Sequence, residues 1–99
     1  MNIVRTSDFQ RSYAKLTKRM KNNVDRKIKA LAENRAHPSL RTHRVKEAKA
    51  EDVWVCYVSI HKRLLYQYQQ GAIYVWDVGG HRIIDRVHLR DFALREETP

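Results

Sequence analysis

At His37-Pro38 the spacing of apolar residues changes from helical to alternating, so the chain places a helical hairpin before this point and most of its sheet after it. Before the switch, Phe9, Tyr13, Leu16 and Met20 fall four, three and four residues apart, and Val24, Ile28, Leu31 and Ala32 continue the pattern. Each series lays an apolar stripe along one helix face. Ser7 with Gln10 three residues later reads as a capping box for the first helix. Asn22 and Asn23 are the candidate caps of a second helix. So short a connection makes the two helices an antiparallel hairpin, which ends before His37 because proline disfavours helix for the residue preceding it.

After Pro38 the composition turns β-rich and the period falls to two, over residues 42–46, 53–59, 63–69 and 72–78. His61-Lys62 and Gln70-Gly71 are short enough to close hairpins, and 46–52 is a charged loop. Residues 53–58 are apolar on both faces, which marks a central strand with the helical hairpin on one face. With residues 2–6 as a short edge strand, the expected fold is α+β: an N-terminal helical hairpin packed on a small, mainly antiparallel sheet of four to five strands. One domain spans residues 1–99. Residues 86–99 are a tail in which Val87, Leu89, Phe92 and Leu94 make a short terminal helix.

Charge is distributed as unevenly as hydrophobicity. The 99 residues carry a formal +9, yet residues 1–50 hold 14 Lys/Arg against 4 Asp/Glu and residues 51–99 hold 6 against 7. A basic half of this kind attracts polyanions, nucleic acid first among them, through salt-dependent contacts. It is equally compatible with a helix surface kept soluble by lysines. The one cysteine, Cys56, lies in an apolar run and has no partner for a disulfide, so it reads as a buried structural thiol of a cytoplasmic protein. The N-terminus lacks the apolar core of a signal peptide, and the longest apolar run is far below the ~20 residues of a membrane span.

Three stretches carry the chemistry: HPSLRTHRVK, KRLLYQY and VGGH. They bring His43, His61 and His81 into the same half as Arg63, Lys46 and Lys62, with no carboxylate cluster that would hold a metal. Alternation puts Arg63, Leu65 and Gln67 on one strand face and Leu64, Tyr66 and Tyr68 on the other. If the helices cover the tyrosines, Arg63 faces outward. The two glycines of VGGH are expected to let the backbone turn sharply and set His81 at the sheet rim. Simpler readings exist for each residue alone: His43 as a surface hydrogen-bonding group, Arg63 as an ion-pair partner of Asp77 or Glu51, Trp54 and Trp76 as core.

Taken in order, these motifs resemble the RelE/ParE superfamily of toxins from bacterial type II toxin-antitoxin pairs, over nearly the whole chain to about residue 85, and within it the RelE, YoeB and YafQ branch. Members carry an aromatic-Arg-apolar-apolar-Tyr strand whose arginine serves the scissile phosphate. Its match is Arg63 in KRLLY, with Lys62 in place of the aromatic. The Gly-x-His histidine of that branch matches His81, and a His-x-Leu pattern of YafQ-like members matches His43 in HRV.

The resemblance implies an endoribonuclease, without metal or cofactor, that cuts mRNA in the ribosomal A site. Arg63, His81 and His43 would be catalytic, while Lys46, Lys62, Arg44, Arg82 and His61 would bind RNA. A cognate antitoxin is implied as partner, with operator DNA reached only through it. Where many members have a tyrosine or phenylalanine after the histidine, this chain reads Arg82, Ile83, Ile84, Asp85, leaving Arg82 or Asp85 to take that place. Two other functions remain open: a ParE-like inhibitor of DNA gyrase, and a noncatalytic nucleic-acid-binding module in which the cations only contact phosphate.

Overall fold

In the computed structural model, which describes residues 1–93, the chain opens with strand β1 (Asn2–Arg5) and turns at Thr6 into helix α1 (Ser7–Ala14). Thr6 caps that helix, its Oγ1 accepting from the Phe9 amide at 3.3 Å. The cap therefore sits one residue before the expected Ser7, and Gln10 reaches back to the Arg5 carbonyl at 2.9 Å. The reason is tertiary: the fully buried Thr6 hydroxyl also donates to the Val75 carbonyl at 2.8 Å. Only one of the two candidate hydroxyls can face the sheet.

The expected continuous helix through Met20 is instead broken. The end of α1 tightens through bonds from Lys15 N to Ser12 O and from Leu16 N to Tyr13 O. Thr17 then adopts extended backbone and caps α2 (Lys18–Glu33), accepting from the Met20 amide at 3.2 Å. Asn22 and Asn23 consequently lie inside α2 and cap nothing. The apolar stripe survives the break, because Phe9, Tyr13, Leu16 and Met20 still pack on one core, shared now between two helices. A bond from Tyr13 Oη to Asp25 at 2.9 Å ties the pair together.

Beyond α2, a 3-10 turn (Pro38–Leu40) buries Leu40 and leads to β2 (His43–Arg44), shorter than the alternating pattern suggested. Strands β3 (Val53–Ser59), β4 (Lys62–Gln69) and β5 (Ala72–Gly79) follow the sequence pattern closely. The first hairpin turn falls at Ile60-His61, one residue earlier than expected. The second turns on Gln70 and Gly71, both with positive φ (53° and 72°), as a tight primed turn requires.

The sheet is five-stranded and mixed, in the order β1-β5-β4-β3-β2, with β1 parallel to β5 and the other pairs antiparallel. The parallel pair brings the first strand beside the last, so the helices must lie across one face. There they bury Val24, Ile28 and Leu31 against Cys56, Leu64, Tyr66, Ile73 and Val75. Tyr66 and Tyr68 face the helices, and Arg63 accordingly faces away.

That second face is covered as well. Val45, Val53, Val55, Leu65 and Trp76 form a core with Val87 and Phe92, which return across the sheet after α3 (Arg82–Asp85) and a 3-10 turn (Val87–Leu89). Phe92 meets Trp76 edge-on, centroids 5.4 Å apart, and Arg90 pairs with both Asp77 and Asp8. Leu94 lies outside the described residues. Among the described residues, no helix is long and apolar enough to cross a membrane.

Thr6 joins a helix cap to a strand through one buried oxygen. Thr6→Ala is expected to cost about 2 kcal/mol of unfolding free energy in urea titration, the loss of a cap together with the buried side-chain bond to the Val75 carbonyl. A loss below about 0.5 kcal/mol would remove Thr6 as the cap.

Candidate active site

Cross-strand register orders the face turned away from the helices into rows. Tyr57, Arg63 and Gly79 form one row, and His43, Val55, Leu65 and Asp77 form the next. The tail covers Val55 and Leu65 of the second row and leaves Tyr57 and Arg63, at the sheet's end, half-buried. Arg63 is half-buried there, its Nη1 donating to the Ser59 carbonyl at 2.7 Å and the Lys62 carbonyl at 3.0 Å. Its guanidinium lies 5.0 Å from the Tyr57 ring centre.

Among the described residues Arg63 has no carboxylate partner. Asp77, the partner the sequence offered, bonds to Arg90 and accepts from Ser12 at 2.6 Å. The guanidinium is thus held in place by backbone carbonyls without being neutralised, which suits an anionic ligand.

His81 lies two residues beyond Gly79, the cross-strand partner of Arg63, and is exposed at the start of α3. The glycines before it work differently from the sequence expectation, since neither Gly79 nor Gly80 has positive φ. Close approach explains Gly79: a Cβ there would stand 3.0 Å from the Ile83 side chain, so its absence lets α3 fold back on the strand. A Cβ on Gly80 would stand 3.6 Å from the His61 carbonyl, an ordinary contact that also shows the β3-β4 turn abutting the start of α3. Arg63, His81 and His61 therefore gather at one end of the sheet.

The remaining candidates are more dispersed. His43 is exposed on the same face as Arg63, but two strands and two residues away, about 12 Å between Cα atoms from standard strand spacing and rise. Arg44 pairs with Trp54 across the strands and so points to the helix side, where it makes a 4.0 Å ion pair with Asp52. Lys62 precedes Arg63 and so takes the opposite face. Lys46 is exposed beyond β2, and Arg82 and Asp85 are exposed on α3. Tyr57 is the residue that sequence reasoning missed; only the pairing register reveals it beside Arg63.

Cys56 is fully buried on the helix side, and burial pushes its thiol up to about 12. Burial likewise raises Tyr66 to about 12. Neither group can serve as a base or nucleophile near neutral pH.

No protein-family model matches the chain, and no curated protein is significantly similar to it in sequence. Solved structures do match. A chain of the E. coli DinJ-YafQ toxin-antitoxin complex superposes with a TM-score of 0.69 at 15% identity, over 82% of this chain and 92% of that one. The YoeB/ParE toxin from Agrobacterium tumefaciens gives 0.69 at 16%, over 82% and 99%. The YoeB-YefM complex from Staphylococcus aureus gives 0.66 at 16%, over 82% and 97%. The neighbours are thus toxins of the YafQ and YoeB kind, the branch that the motifs resemble, and the chain has their fold.

Two outcomes check this description. Gly79→Ala must displace Ile83 and is expected to cost about 1 kcal/mol in a thermal melt by overpacking, whereas Gly80→Ala is expected to be neutral or slightly stabilising. The reverse order would contradict the packing of α3. A thiol-disulfide reagent at pH 8 is expected to leave Cys56 unmodified until denaturant is added; rapid labelling of the native protein would refute its burial.

Proposed function

We propose that this protein is the toxin of a toxin-antitoxin pair and acts as a ribosome-dependent mRNA endonuclease. The observation that carries the reading is Arg63: an arginine anchored by two carbonyls, unpaired with acid among the described residues, on the row at the sheet's end with His81 just past its cross-strand neighbour.

Such a site can cleave RNA by internal transfer. An imidazole takes the proton of the ribose 2′-hydroxyl, O2′ bonds to phosphorus, and the P–O5′ bond breaks to leave a 2′,3′-cyclic phosphate. The guanidinium of Arg63 stabilises the charge that builds on the phosphoryl oxygens. His81, exposed at the rim, gives its proton to the departing O5′. His61, whose turn abuts the start of α3, is the nearer second imidazole, and His43 farther along the face contacts the RNA strand. Lys46 and Arg82 supply phosphate contacts on this face, and Lys62 contacts RNA from the opposite face at the same end of the sheet.

The exposed lysines and arginines of α2 give the protein its grip on ribosomal RNA, an association whose strength falls steeply with salt. The fold shared with toxin chains from two complexes supports a cognate antitoxin as partner, and operator DNA would be bound through that partner.

Primer extension on mRNA translated in vitro with the purified protein tests the reading. New 3′ ends are expected only when ribosomes are present. Arg63→Ala and His81→Ala are each expected to lower cleavage by about two to three orders of magnitude while melting like the wild type, the loss typical of a charge-stabilising or acid-base group. Intact message together with arrested DNA supercoiling would replace this reading by gyrase inhibition. Full cleavage by either variant would remove that residue from the mechanism.

A further inference from the structure

Three cations converge on one half-buried ring. The guanidinium of Arg41 lies 4.8 Å from the centre of Tyr57, that of Arg63 lies 5.0 Å away, and the ammonium of Lys27 lies 5.7 Å away. They come from three separate parts of the chain: α2, the turn before β2, and β4. Among the described residues none of the three forms an ion pair with a carboxylate, while Arg11, Arg44 and Arg90 all do. Like charges gathered this closely repel one another, and the ring quadrupole offsets only part of that. An anion placed among them relieves the remainder.

The backbone is arranged for the same end. Arg41 sits in the left-handed region (φ 47°), unfavourable for a residue with a Cβ, and is held there by the bond from its amide to the Pro38 carbonyl. Strand β2 pairs with β3 at Trp54 and Val55, and Val45 bonds to Val53, so among the described residues no strand covers the edge at Tyr57, which Lys27 and Arg41 approach.

We infer that Tyr57, Arg41 and Lys27 form a second subsite that binds single-stranded RNA next to Arg63. Arg41 and Lys27 take the phosphate adjoining the one that Arg63 serves, and Tyr57 is the positioning residue that keeps the guanidinium groups apart from acids and from each other. A nucleotide strand fits because it alternates anionic groups with flat apolar faces, the combination that clustered cations around an aromatic ring recognise. The inference rests on reading the Arg63 row as the RNA-facing surface, but binding here can be measured without cleavage.

The test is fluorescence anisotropy of the full-length protein with a labelled single-stranded 2′-O-methyl oligoribonucleotide, which has no free 2′-hydroxyl to attack. Lys27→Gln combined with Arg41→Gln is expected to weaken binding about tenfold and to lower the slope of log affinity against log salt by about 0.7, the change for one phosphate no longer neutralised on a single strand. Tyr57→Phe is expected to bind like the wild type and Tyr57→Leu to lose affinity, all with unchanged melting. Unaltered affinity and slope in the double variant would overturn the subsite. So would tighter binding of a polyglutamate peptide than of RNA with the same dependence on Lys27 and Arg41, which would assign the cluster to an acidic protein. A wild type that binds RNA through these residues yet cuts no message on ribosomes would keep the subsite and remove the nuclease.

Discussion

The arrangement depends on one long-range pairing, that of β1 with β5. Residues 2–5 lie in register with residues 72–75, and closing so long a loop costs entropy that the pairing must recover. Recovery is concentrated at Thr6, whose backbone and side chain both bond to the Val75 carbonyl as the chain leaves the strand for α1. Once the first strand is fixed there, α1 has to cross β5, and α2 follows over the rest of that face. Both helices are thereby kept off the opposite face, where Arg63 lies.

The opposite face is divided by the tail. Val87 and Phe92 bury the middle of it, pinned by Arg90 between Asp77 and Asp8. The same contacts have an electrostatic consequence at the sheet's end. Acids that could have neutralised the candidate site are engaged elsewhere: Asp77 with Arg90 and Ser12, Asp25 with Tyr13, Asp52 with Arg44. Those three acids hold other parts of the fold together, away from the row of Tyr57 and Arg63.

Glycine use shows how packing decides what a motif does. The pair Gly79-Gly80 suggested a sharp turn built on unusual dihedrals. In the fold, Gly79 instead admits the Ile83 side chain, and Gly71 in the β4-β5 hairpin is the glycine with a positive φ. The consequence for His81 is similar, a place at the rim, but it is α3 that secures it there.

Much of the architecture was legible in the sequence because period and residue type report local structure directly. The alternation over residues 53–78 placed three strands within a residue at each end, and the proline after His37 marked the close of the helical half. Alternation sets Arg63 opposite Tyr66 and Tyr68, so it faces away once the helices are found over the tyrosines. Legibility failed where neighbours in space compete: Thr6 over Ser7 as cap, Thr17 over Asn22 or Asn23 as the break, and a tail that buries Phe92 on the second face. The gathering of Arg41, Lys27 and Arg63 around Tyr57 was likewise invisible, because it depends on cross-strand register and on which side of a sheet edge a helix passes. Sequence by itself settles which faces are apolar and which residue types can do chemistry, since both are properties of short segments. Which cations stay unpaired, and which imidazoles stand beside them, is decided only when distant segments fold together and the available carboxylates find their partners.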